Sequence, residues 1–190
     1  MNIVLISTPT RTYIPNSIPP LGIMYIASYL QKQGYNVSIV DVAKTRQSID
    51  SVIKELKKLN PDVIGISGII TSYRFVKELV PQIKSVFMNI PIVIGGHIVI
   101  DNYDLLKSVG CDYVIVGYGE IALEYFIEYF SGKRDIESVP GMAYLKDGEV
   151  IYNPGQVFFN NIDDIPIPAY NLVDMEYYST VNITGKLKDY

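Results

Sequence analysis

Four short segments carry the hydroxyl and glycine residues that ligand chemistry uses, and each directly follows a run rich in Val and Ile. The first is Ser7-Thr8-Pro9-Thr10-Arg11-Thr12. Its hydroxyls are of a kind that hold a phosphate, but no glycine lets the loop close, and the next helical segment starts too late to aim its N-terminus at one. A polar loop restricted by Pro9 is the simpler reading. The second, Ser67-Gly68-Ile69-Ile70-Thr71-Ser72, offers small hydroxylic side chains to a ligand tail; alternatively Thr71 or Ser72 caps the following helix, which the local sequence favours. The third is Gly95-Gly96-His97, where paired glycines either admit a ligand to the backbone or make a tight turn. His97 there is a pocket donor or a turn residue. The fourth, Gly117-Tyr118-Gly119-Glu120-Ile121-Ala122, has the G-x-G-x-x-A form of a dinucleotide loop. That fingerprint belongs in a first βαβ unit, whereas here the next helix runs into a loop and hairpin, and Glu120 would set a carboxylate beside a pyrophosphate.

Composition removes other chemistries. Sixteen basic and twenty acidic residues give a net charge of −4, with no Lys/Arg cluster to drive nucleic-acid binding. With only Cys111 and only His97, the 190 residues cannot form an internal disulfide, a zinc site or a thiolate-held iron–sulfur cluster. No residue is assigned a catalytic or metal-ligating role, and hard chemistry must come from a bound cofactor or another domain. A phosphoacceptor site would need acidic residues after the first strand, an Asp ending the third and a Lys after the fifth; the chain has Ser7, Ser67 and Gly117. No apolar stretch approaches the roughly 20 residues of a membrane helix. Met1-Asn2-Ile3-Val4-Leu5-Ile6 reads as a strand and not as a signal peptide. A cytoplasmic protein without membrane contact is expected.

The elements that must position these loops are legible as apolar runs. Asn2–Ser7, Asn36–Asp41, Val63–Gly68, Ile92–Gly96 and Tyr113–Gly117 are apolar on both faces, as parallel strands covered on both sides should be. Between them, Ile49, Val52, Ile53, Leu56 and Leu59 form one helical stripe, and Ala122, Tyr125, Phe126, Tyr129 and Phe130 another. Pro19-Pro20 should open the first helix and Gly34 close it. A helix over about 72–87 contains Pro81, which should kink it or sit where an i−4 bond is dispensable. Strand–helix alternation implies right-handed crossovers and a doubly wound α/β sheet with ligands beyond the carboxyl ends of the strands. Gly141–Leu145 and Glu149–Tyr152, joined through Asp147-Gly148, read as a hairpin. The remainder, rich in Pro and aromatics, reads as a linker.

In order and spacing, these pieces resemble the amino-terminal cobalamin-binding domain of cobalamin-dependent radical S-adenosylmethionine (SAM) enzymes, the group that includes the anaerobic magnesium-protoporphyrin monomethyl ester cyclase. The resemblance rests on Pro19-Pro20-Leu21-Gly22, Tyr25 to Leu30, Gly34-Tyr35-Asn36-Val37 leading to Asp41, and Pro61 to Ser67. It continues through Val93-Ile94-Gly95-Gly96-His97, Gly117-Tyr118-Gly119-Glu120, Val139-Pro140-Gly141 and Asp163 to Tyr170. Gly117 to Glu120 stands for the family's G-E-G-E, with Tyr118 replacing the first glutamate. Two departures matter. The family's C-x-x-x-C-x-x-C is absent, so the [4Fe–4S] cluster and SAM are expected only in a barrel domain acting in cis or in trans. The D-x-H-x-x-G of methionine-synthase-type domains is also absent: Ser7 to Tyr13 has no His, so cobalamin is expected base-off with no histidine lower ligand, His97 included.

The resemblance implies a flavodoxin-like sheet of five parallel strands, order 2-1-3-4-5, over residues 1–133, followed by a hairpin and linker over 134–190. It implies a tail site near Ser67, Ile69, Thr71, Gly95 and Gly96, with Gly68 and His97 also among the cofactor-binding residues, and with a loop from Thr8 and Pro9 to Ile18 and the Gly117–Glu120 turn bordering the corrin. On this reading Gly96→Leu should fill the tail slot and leave the fold intact. The expected function is to hold cobalamin for a radical SAM methyltransferase or oxidative cyclase. A domain of the same fold that serves as a substrate-binding or interaction module is the second reading, and a nucleotide-binding Rossmann domain the third. The aromatic carboxyl-terminal segment should pack partly on its own domain and partly present surface to a barrel, with self-association as one outcome. The sequence reads as part of a longer enzyme or as a stand-alone binding module.

Overall fold

The computed structural model describes residues 1–10, 18–100 and 103–180. Five parallel strands, β1 (Asn2–Ser7), β2 (Asn36–Asp41), β3 (Val63–Ser67), β4 (Ile92–Gly95) and β5 (Tyr113–Ile115), take the order 2-1-3-4-5. The hairpin does not stand apart from them. Its strands β6 (Met142–Lys146) and β7 (Glu149–Tyr152) add antiparallel to the β5 edge, with Val114 opposite Ala143, and make seven strands where five were expected. Asp147 and Gly148 both have positive φ, 52° and 83°, as a two-residue type I′ turn demands. β4 and β5 are shorter than their apolar runs, because Gly96 and Gly117 leave the extended region at φ 82° and 99°.

Side-chain alternation divides the strands between two layers. Val4, Ile6, Ile64, Ile66, Ile92 and Ile94 face a core covered by α3 (Ile49–Leu59) and α4 (Tyr73–Val86). Ile3, Leu5, Val63, Val93 and Ile115 face the opposite core, covered by α1 (Leu21–Lys32) and α6 (Gly119–Phe130). Short helices α2 (Val42–Thr45) and α5 (Leu105–Ser108) complete the connections on the first side. Pro20 stands at the N-cap of α1, and Gly34 follows its end at φ 87°. Helix α4 runs continuously through Pro81, which lies on its exposed side beside exposed Lys77, so the carbonyl that loses its partner can meet water. On α6 the stripe is rotated from expectation: Leu123 and Ile127 are buried, while Phe130 is 42% exposed. The α1–α6 layer, and not α6 alone, sets which face turns inward.

Residues 153–180 form a strap that returns over α1 from the β7 edge to the β2 edge. Buried Asn153 donates through Nδ2 to Ile136 O (2.6 Å) and Val139 O (3.1 Å). The Phe159 ring meets Tyr29 edge-on at 5.3 Å. The Ala169 amide donates to Met24 O at 3.1 Å. The strap ends in α7 (Met175–Thr180), where the Tyr178 hydroxyl donates to Asp41 Oδ2 (2.5 Å) and Lys44 pairs with Asp174 (2.5 Å). Burial pushes the Asp41 carboxyl above its ordinary range, opposed by the Tyr178 and Lys44 hydrogen bonds. The segment thus packs on its own domain, while Ile162 and Ile167 remain 79% exposed. Among the described residues no helix is long and apolar enough to cross a membrane.

Candidate functional site

Between the sheet and the α1–α6 layer, at the carboxyl end of the strands, lies a cleft of about 420 Å³. Its existence follows from the strand alternation. On this face the positions above Val63 and Val93 are Gly65 and Gly95, so the covering helices rest on side chains low in the sheet and on nothing higher up. Glycine inside a strand leaves room for a close approach of another group. A Cβ at Gly65 would stand 2.7 Å from Leu5 Cδ2, whereas one at Gly95 would meet only Ile115 O at 3.7 Å. At the mouth, Gly119 lets the start of α6 approach α1, since a Cβ there would lie 2.8 Å from Ile26 Cδ1. Ile23, Ile26 and Leu123 form the helix-side wall. His97, Tyr118 and Glu120 are the ionisable side chains in the cleft lining, and apart from them and Ser67 the lining is apolar or glycine.

Eight expected site residues line this cleft: Ser67, Gly95, Gly96, His97, Gly117, Tyr118, Gly119 and Glu120. Thr8, Pro9, Gly68, Ile69 and Thr71 lie beside it, in a scaffold that ties the loop after β1 to the loop after β3. The Thr8 amide and Oγ1 both donate to Ser67 O, at 3.1 and 2.9 Å. The Thr71 hydroxyl donates to Thr10 O (2.5 Å) and the Ser72 hydroxyl to Pro9 O (3.0 Å). Neither hydroxyl caps α4, contrary to the expectation from local sequence; each instead donates to a carbonyl of the loop after β1. Residues 11–17 of the loop expected to border the corrin lie outside the described residues.

Gly96 does not open the slot as expected. With φ 82° and ψ −171° it packs its backbone on the β3 loop, where a Cβ would lie 2.7 Å from Gly68 O and 2.8 Å from Ser67 Oγ. Gly96→Leu therefore strains the fold, and Gly95 is the residue whose missing side chain leaves the cleft open, with Gly65 beside it making room for Leu5. Sequence reasoning missed Gly65, although a glycine at an inward position of an otherwise apolar strand was the signal. It also missed Gly22 and the apolar wall of Leu5, Ile23, Ile26 and Leu123, which read simply as core.

The fold is that of a doubly wound domain with a largely apolar cleft between its sheet and one helix layer. The chain belongs to the B12-binding domain family, whose model matches residues 8–127. It is 28% identical to an uncharacterised methyltransferase of Pyrococcus horikoshii, covering 94% of this chain and 40% of that protein. It is 24% identical to the anaerobic magnesium-protoporphyrin IX monomethyl ester cyclase of Synechocystis, covering 94% of this chain and 37% of the cyclase. The chain thus spans less than half the length of these curated relatives. Among solved structures, the cobalamin-dependent SAM radical enzyme OxsB with aqua-cobalamin bound superposes with a TM-score of 0.81 at 21% identity, over 94% of this chain and 25% of that one. The radical SAM methyltransferase TsrM of Kitasatospora setae, with cobalamin and a [4Fe–4S] cluster, gives 0.66 at 18%, over 88% and 31%. At these identities the likeness is one of fold.

The dinucleotide reading loses its context. α6 leads to the antiparallel strand β6, so no parallel strand follows and no βαβ unit is completed after Gly117.

Proposed function

We propose that this domain holds cobalamin base-off, with the nucleotide tail in the cleft between the sheet and the α1–α6 layer and the corrin at the carboxyl ends of the strands. The observation that carries the reading is the glycine floor. Gly95 stands where a side chain would otherwise enter the space, Gly65 leaves room for the Leu5 side chain beside it, and the surrounding surface is mostly apolar, with Glu120 and His97 in its lining. That environment suits a flat, neutral heteroaromatic base and penalises an ionised one. Leu5, Ile26 and Leu123 would contact the base, and the Gly117–Glu120 turn would border its exit.

Bound cobalamin supplies a cobalt centre for methyl or electron transfer. The protein's part is to orient it and to keep the tail away from the metal. A radical SAM barrel, in cis or in trans, would supply the [4Fe–4S] cluster and SAM for a methyltransferase or cyclase reaction, in line with what the named relatives are. Titration with hydroxocobalamin, followed by visible absorption and co-elution on gel filtration, tests the reading. One equivalent of tightly held corrinoid is expected. No uptake at a large excess would overturn it and leave a binding module of the same fold.

A further inference from the structure

Residues 154–158 read in sequence as the start of a linker, yet the structure holds them against the Gly117–Tyr118 turn at the edge of the cleft, between two anchors. Asn153 is pinned on one side through Ile136 O and Val139 O, and Phe159 on the other against Tyr29. Between these, Gln156 lies directly on Gly117. The space a Cβ would take at Gly117 holds Gln156 Cδ at 2.9 Å and Cγ and Nε2 at 3.1 Å. The glycine, already at φ 99°, is therefore matched to this glutamine as well as to the turn. Next to it the Phe158 and Tyr118 rings meet at 5.2 Å and 60°, with 61% and 58% of their surfaces exposed. Among the described residues the two rings meet no other ring and stay open at the rim of the cleft. Gln156 is exposed, and its side-chain amide makes no hydrogen bond to the described residues.

We propose that the strap completes the cofactor site: Gln156 and Phe158 bind the periphery of the corrin ring, as positioning residues separate from the cleft that takes the tail. This rests on the cobalamin reading above. The chemistry matches in kind. The rim of a corrin alternates primary carboxamides with methyl groups, and a side-chain amide can both donate to and accept from a carboxamide, while aromatic faces pack on methyl groups. Because the contact is with the ring, it should be blind to the tail.

The test compares hydroxocobalamin with dicyanocobinamide, which has the ring but lacks the nucleotide, on wild type, Gln156→Ala, Phe158→Ala and Gly95→Leu. Binding is read by visible absorption and by dissociation rate, and folding by circular dichroism. Gln156→Ala should weaken both corrinoids by roughly fivefold, the value of one hydrogen bond, with faster dissociation, and Phe158→Ala should do so by a similar factor. Gly95→Leu should weaken hydroxocobalamin and leave cobinamide unchanged. If wild type binds hydroxocobalamin and both strap variants match it on both ligands, the inference is wrong while the cobalamin reading stands. The same holds if the strap variants weaken hydroxocobalamin alone. If wild type binds neither corrinoid, the cobalamin reading itself fails and takes the inference with it.

Discussion

Adjacent glycines at the end of β4 should give opposite phenotypes. At Gly95 the backbone is ordinary, and a Cβ meets nothing closer than Ile115 O at 3.7 Å, so the side chain of Gly95→Leu enters the open cleft. Replacing a strand glycine recovers about 0.5–1 kcal/mol of chain entropy, and the added carbons cover apolar wall. The melting temperature should hold or rise by a few degrees, at about 2–4 °C per kcal/mol for a chain of this size. The ligand slot is then overfilled, which costs about 1–3 kcal/mol where the fit is close, or about 5- to 150-fold in hydroxocobalamin affinity. Gly96→Leu reverses this. A side chain at φ 82° and ψ −171° occupies a region almost reserved for glycine, costing about 1–3 kcal/mol, and its Cβ would stand 2.7 Å from the Gly68 carbonyl. That variant should melt several degrees lower. Thermal denaturation and corrinoid titration of the two proteins side by side check both halves. A Gly95→Leu protein that binds like wild type, or a Gly96→Leu protein with unchanged melting, would refute the assignment of Gly95 to the cleft and Gly96 to the scaffold.

His97 is exposed at the cleft rim on the fourth strand's loop, so His97→Ala should leave the visible spectrum of bound cobalamin unchanged; a shift would make it a cobalt ligand. Tyr178→Phe removes the hydroxyl that donates to half-buried Asp41, which should cost about 1–2 kcal/mol and raise amide exchange in residues 170–179; equal exchange in the two proteins would show that α7 is held by other contacts. Burial pushes the Cys111 thiol up to about 12. Folding thus favours its protonated form: the stabilisation is complete below the ordinary thiol range and is lost as pH rises from there toward 12, at up to about 1.4 kcal/mol per pH unit. Cys111→Ala should flatten that alkaline fall in denaturation midpoint, and an unchanged slope would assign the fall to other groups.

The five parallel strands were legible because each is a short Val/Ile run apolar on both faces, and the hairpin because Asp147-Gly148 can adopt two positive φ values. The attachment of that hairpin to β5 was not, since pairing of Tyr113 with Tyr144 joins residues far apart in sequence and no local pattern marks it. The cleft was half legible. Gly95 and Gly117 stood out at strand ends, but Gly65 was hidden inside an apolar run, where only the alternation of facing residues shows that its missing side chain opens space. The hydroxyls of Thr71 and Ser72 misled because their partners, Thr10 O and Pro9 O, come from another loop. That the strap packs on its own domain was legible in its aromatic content, but its path was not, for a related reason. Its aromatic residues have no period, and their positions are set one at a time by Tyr118, Tyr29 and Asp41.

The central claim, cobalamin held with its tail in the cleft and no histidine on cobalt, is tested most directly by electron paramagnetic resonance of the protein loaded with cobalamin and reduced to cobalt(II). The account predicts a base-off spectrum without nitrogen superhyperfine splitting, because the benzimidazole lies between the sheet and the α1–α6 layer and no imidazole replaces it. A threefold nitrogen splitting in the protein-bound species would contradict it, since a nitrogen base would then remain on the cobalt.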